Sequence, residues 1–211
     1  MIKHHLSDAL LLGYAAGSLP EAFGLVAATH VTLCDDCRAR LAALEALGGA
    51  VIEDTGGVAL SDGALDRTLA RLAPSQPRTP AKPRAGVLPA PLQSYIGGDL
   101  DAVRWKTLGM GVRQAILPTS KGATARLLLI PAGRVVPDHG HRGTELTLVL
   151  SGAFHDSVDH FGPGDLEIAT SDLVHTPIAD PGVDCICLAA TDAPLRFNSL
   201  VPRLLQPIFR I

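Results

Sequence analysis

Six prolines fall within the eighteen residues from Pro74 to Pro91, with Arg78, Lys82 and Arg84 among them and almost no bulky apolar side chain. A stretch of this kind reads as an extended, solvated linker. It separates a segment rich in Ala and Leu from one rich in Gly, Thr, Val and Ile, so the 211 residues are expected to form two domains. The expected boundaries are 1–72, a linker at 73–92, and 93–211.

Before the prolines the pattern is helical. Ser7 or Asp8 can cap a helix bearing Leu10, Leu11, Leu12 and Tyr14, which Gly17 ends. Pro20 suits the first turn of a second helix, where Phe23, Val26, Ala27, His30 and Leu33 recur at helical steps. A third is expected from about Asp36 to Leu47, stopped by Gly48 and Gly49, and a short fourth from Ser61 through Leu72. Up to Leu72 there are five basic and nine acidic residues, a net charge of −4. A core this small is marginal unaided.

After the prolines, short runs such as Ala125–Ile130, Glu145–Leu150 and Cys185–Ala189 alternate with Gly and Pro turns, the pattern of an all-β sandwich or barrel. The net charge of −3 and 4% aromatic content argue against nucleic acid or an anionic membrane as the main partner. No apolar run reaches the roughly 18–20 residues of a membrane span, and Asp8 interrupts the amino-terminal segment, so a cytoplasmic location is expected.

His30, Cys34 and Cys37 read His-x3-Cys-x2-Cys. On one straight helix the outer two would stand about 10 Å apart along the axis, too far for one ion with bonds of about 2.0–2.3 Å. The helix must therefore break, and Asp35 and Asp36 suit a break. A fourth ligand would come from His4 or His5, giving two thiolates and two imidazoles, the donor set of a structural zinc site. The plain alternative is two small core cysteines and a satisfied core histidine; three such residues together, in a unit short of core, favour the metal. The segment from His4-His5 through His30 to Cys37 resembles the zinc-binding anti-sigma domain. That resemblance implies a four-helix unit, His5 as the amino-terminal ligand, and a partner sigma factor of the extracytoplasmic function type.

A second constellation runs Gly133-x5-His139-x-His141-x3-Glu145-x6-Gly152, followed by Gly164-x5-Thr170-x-Asp172-x2-His175. His139 and His141 share strand parity, Glu145 keeps it, and Leu146, Leu148 and Leu150 take the opposite one. Three imidazoles and a carboxylate facing into a barrel can hold zinc, iron, manganese or nickel. The alternative is a solvated strand with surface His and Glu. The first motif resembles the cupin family, a jelly-roll β-barrel; the second departs from it, with Thr170, Asp172 and Ala179 where the family has Pro, Gly and Asn. His155 and His160 lie outside both motifs and are expected at the surface.

Taken whole, the chain resembles the zinc-binding anti-sigma factors that end in a cupin and serve the singlet oxygen response of photosynthetic bacteria. Val112 to Pro118, Pro137 to Gly143 and Asp184 to Leu188 carry that likeness as well. It implies Zn2+ in each domain, negative regulation of transcription, and release of the sigma factor under singlet oxygen or organic hydroperoxide. Neither direct nucleic-acid binding, a membrane nor catalysis is implied. A metal-dependent cupin enzyme, dioxygenase or isomerase, is the alternative, and a barrel that binds a small ligand without chemistry a third reading. Cys185 and Cys187 share parity, and packing inside the barrel is their expected role, with oxidant sensing the alternative.

Overall fold

The structure, a computed structural model, describes residues 1–72 and 86–197. Most of the Pro-rich stretch, residues 73–85, and the end of the chain from 198 lie outside the described residues. The four helices expected before the prolines are α1 (Asp8–Ala15), α2 (Glu21–Leu33), α3 (Asp35–Asp54) and α4 (Ala64–Arg71). The Ser7 hydroxyl caps α1 by accepting from Leu10 N, and Gly17 leaves the helix at φ +64°, where a side chain would be strained. At Cys34 the backbone turns extended, φ −112° and ψ 109°, and this single residue ends α2 and caps α3.

α3 corrects one expectation. It runs through Gly48 and Gly49 to Asp54 instead of stopping there. A helical glycine costs about 1 kcal/mol relative to alanine but does not force an exit, and these two keep φ outside the left-handed region. The extra turns carry Val51 and Ile52 into solvent.

Among the described residues, twelve short strands form the second half. A six-stranded antiparallel sheet has the order β1 (Lys106–Gly109), β2 (Val112–Ile116), β3 (Thr124–Ile130), β11 (Cys185–Thr191), β5 (Glu145–Ser151) and β8 (Leu166–Ala169). Two three-stranded sheets complete it: β10 (Ile178–Ala179), β6 (Phe154–His155), β7 (His160–Phe161), and β12 (Arg196–Phe197), β4 (His139–Gly140), β9 (Val174–His175). Alternation along the large sheet makes two cores. Val149, Cys185 and Cys187 join Ile130, Phe154, Phe161 and Ala179 in one, the barrel interior. Ala125, Leu127, Leu146, Leu148, Leu166, Leu188 and Ala190 join the helices in the other.

The helices and the barrel thus share a core. α2 buries Ala22, Phe23, Leu25, Val26, Ala27, Thr29 and His30, and packs against α1, α3 and strands β3, β5 and β11. Leu88 and Leu92, within the expected linker, are buried too, and α5 (Ala90–Ile96) lies on α2. Pro91 sits in the first turn of α5, where its missing donor removes no helical bond. Each fully buried leucine of this layer contributes about 1.5–3 kcal/mol. Polar bonds fix the same contact: Tyr95 Oη donates to Glu21 at 2.6 Å, and Ser120 N to the other oxygen at 2.6 Å.

Candidate metal centres

The break at Cys34 aims two thiols and the end of α2 at one point. Cys34 Sγ lies 3.2 Å from His5 Nδ1, Cys37 Sγ 3.3 Å from His30 Nε2, and Cys37 Sγ 3.7 Å from His5 Nδ1. Tetrahedral coordination with bonds of about 2.0–2.3 Å separates ligand atoms by about 3.3–3.8 Å. All four donors lie within 4.8 Å of one another, and the cluster fits a metal ion. His5, not His4, joins it; His4 turns to the barrel, its ring 4.5 Å from that of Phe161. Burial pushes the His30 pKa down to about 4 and raises the Cys37 thiol, so without a metal these groups rest neutral. Sequence reasoning missed Arg40, whose guanidinium donates to Leu6 O at 3.2 Å, pairs with Asp8, and stands 4.0 Å from Cys37 Sγ.

In the barrel, β4 and β9 pair so that His139 faces His175 across the ladder, and His141 follows directly after β4. His175 Nε2 lies 3.2 Å from His139 Nε2 and 3.3 Å from His141 Nε2. Each opposite ring nitrogen meets an acceptor: His139 Nδ1 the Pro137 carbonyl at 2.8 Å, His141 Nδ1 the Glu145 carboxylate at 3.0 Å, His175 Nδ1 the Asp156 carboxylate at 2.7 Å. When the rings are neutral and the proton sits on Nδ1, the three Nε2 lone pairs converge, and a cation, either a metal ion or a proton taken up by His175, relieves their repulsion.

Glu145 is not among the three converging nitrogens; it stands behind His141. Burial opposes its charge, yet His141, His139 and Arg126 hold its pKa below the ordinary value. Arg126, itself buried, donates to Gln114 Oε1 at 3.1 Å and, with the turn between β2 and β3, lines an open groove of about 1150 Å³. Two further acids went unseen in the sequence. Asp156 and Glu167 both approach His175 Nδ1, at 2.7 and 3.1 Å, and although burial pulls the other way they raise the His175 pKa to about 9. Burial raises Glu167. Its signal was present, an acid at inward parity of a short apolar strand; Asp156, in a turn, offered none.

Despite its departures from the family pattern, the second motif still delivers His175. Leu173 N bonds Thr170 O at 3.0 Å to close the turn, and Ala179 is buried in β10. Cys185 and Cys187 lie inside the barrel with their sulfurs 3.4 Å apart. His155 and His160 are surface residues that share the Asp180 carboxylate, at 2.9 and 2.7 Å.

The architecture defines a class: a helical unit gathered around two cysteines and two histidines, joined to a cupin-type barrel that carries a three-histidine cluster. A family profile described as the ChrR cupin-like domain matches residues 93–193. The anti-sigma-E factor ChrR of Cereibacter sphaeroides is 62% identical over 217 residues, covering 100% of this chain and 99% of that protein. The crystal structure of Rhodobacter sphaeroides SigE in complex with the anti-sigma ChrR is similar, with a TM-score of 0.81 and 61% identity over 91% of this chain and 100% of that one. The chain belongs to the ChrR family of anti-sigma factors.

Proposed function

We propose that the protein is a zinc-binding anti-sigma factor that sequesters a sigma factor of the extracytoplasmic function type and releases it in response to singlet oxygen or related oxidants. The observation that carries this reading is the apolar surface of the helical half. Leu47, Val51 and Ile52 on α3, Val58 and Leu60 beyond it, and Leu65, Leu69 and Leu72 in and after α4 are 53–89% exposed. α4 buries no residue at all. So many exposed large apolar side chains in one segment mark a partner site. The half that bears it carries −4, complementary to the basic surfaces a sigma factor uses on polymerase and DNA. The Rhodobacter relative was solved with SigE, which supports a sigma partner here.

In this reading residues 1–72 inhibit and the barrel, 93–211, senses. His5, His30, Cys34 and Cys37 would hold one zinc, whose chemistry is to bridge the amino-terminal segment, α2 and α3. His139, His141 and His175, with Glu145 beside them, would hold the second. No residue has a catalytic role, neither nucleic acid nor membrane is contacted, and the protein acts in the cytoplasm; among the described residues no helix is long and apolar enough to cross a membrane.

Coexpression of the full chain with the genomically adjacent sigma factor, followed by capture and metal analysis, is the test. Capture with zinc bound is expected, and a chain that leaves the sigma factor in the flow-through would sink the reading. For the signal, alanine at His141 or Glu145 should abolish the induction of a sigma-driven reporter by light with a photosensitiser. Full induction in these variants would move the sensor out of the barrel.

A further inference from the structure

Strand β8 and the turn before it touch both clusters. On one side, Glu167 Oε1 lies 3.1 Å from His175 Nδ1. Two residues earlier, Asp165 Oδ1 accepts from the backbone of Lys3 at 2.6 Å and of His4 at 3.0 Å, and its second oxygen accepts from Gly162 N at 2.9 Å. Leu166 N donates to His4 O at 3.2 Å, so the amino-terminal segment adds itself to the edge of β8. His4 is clamped further by Asp159 at 3.1 Å, and the residue after it is His5.

The same turn reaches the other imidazole of the helical cluster. His30 Nδ1 is buried and turned toward the backbone of Gly164. Gly164 holds φ +88°, a conformation in which a side chain would be strained, and lies against Ile2 of the amino-terminal segment. Residues 162–166 thus hold the backbone next to His5 and lie close to His30, and the strand that follows carries the acid that braces His175. Residues two apart on a strand are about 7 Å apart, and a buried carboxylate with three backbone donors has no water to replace them. A displacement at Glu167 is therefore handed on to His4 and His5.

We propose that β8 and the 162–165 turn couple the two centres, so that the state of the barrel cluster sets how firmly the helical cluster retains its metal. This rests on the reading of both clusters as metal centres, and it supplies a route for release that needs no signal through the Pro-rich stretch. By linkage the coupling is reciprocal.

The experiment is a double-mutant cycle on the full chain loaded with cobalt(II). Only the helical centre has thiolates, so its thiolate-to-cobalt absorption reports that centre alone, and its decay after addition of a chelator gives the rate of metal loss. His139→Ala should speed this decay roughly five-fold or more, the lower end of usual coupling. Asp165→Asn should speed it too, and adding His139→Ala to Asp165→Asn should change it by less than about two-fold. Gly164→Ala, which strains the same turn at φ +88°, should show the same non-additivity, and far-ultraviolet circular dichroism selects the variants that keep their helices. Equal decay in the wild type and His139→Ala, or a full His139→Ala effect in both backgrounds, would overturn the coupling alone. No thiolate band in the wild type would instead overturn the metal reading beneath it, and failure to capture the sigma factor would refute the regulator while leaving the cycle standing.

Discussion

Leu127 sits on β3 at 0% exposure in the layer between the large sheet and α2. Truncation to alanine removes about three carbons at about 0.8 kcal/mol each, roughly 2.4 kcal/mol of transfer free energy. A cavity term in a layer clamped by α2 and β11 brings the expected loss to about 3–4 kcal/mol. At a slope near 2 kcal/mol per molar urea, the midpoint should fall by about 1.5–2 M. The sequence contains one tryptophan, Trp105, at the start of the barrel, so its fluorescence follows that half while circular dichroism at 222 nm follows the helices. Because Leu127 belongs to a core built from both halves, Leu127→Ala should shift the two transitions together. If the helical signal held its midpoint while the tryptophan signal moved, the halves would fold independently and the shared core would be no determinant of stability.

Three further outcomes follow from the same geometry. Metal analysis should give two equivalents per chain, and Cys34→Ser or Cys37→Ser should lose one and unfold much of the helical half; one equivalent that survives loss of both thiols would contradict this. In the metal-free chain His175, raised to about 9, contributes stability to the barrel that is present below about 6.5 and lost as pH rises through 9. The melting temperature of the barrel should fall as pH rises across that range, and a flat profile would refute the assignment. Leu65→Asp with Leu69→Asp should abolish sigma capture while changing stability by less than about 0.5 kcal/mol per site, since both side chains are exposed; capture unchanged would remove α4 from the docking surface.

What the sequence disclosed and what it withheld divide along contact distance. His30, Cys34 and Cys37 fall within eight residues, so helical geometry alone demanded the break that Cys34 supplies. Period-two alternation likewise separated Glu145, Thr147 and Val149 from Leu146 and Leu148 before any pairing was known. The alternation named which face of β5 was apolar but not what covered it, and α2 does so from more than a hundred residues away. The Pro-rich stretch suggested separation because proline reports only on local backbone; Leu88 and Leu92, apolar residues within the expected linker, are buried in the core that α2 shares. His4 and His5 were indistinguishable by spacing. What separates them is Asp165, 161 residues on, which takes the backbone of His4 and so leaves His5 to face the thiols. Glu145 shows the converse: its parity placed it beside the histidines, but parity cannot decide whether a carboxylate meets the Nε2 cluster or the far nitrogen of one ring. That choice depends on His141, which the carboxylate meets at 3.0 Å, and on the buried Arg126 of β3, whose charge favours its ionised form. The ligands of each cluster are local in sequence, whereas the groups that orient them are distant, so a sequence alone can name a metal site without naming what controls it.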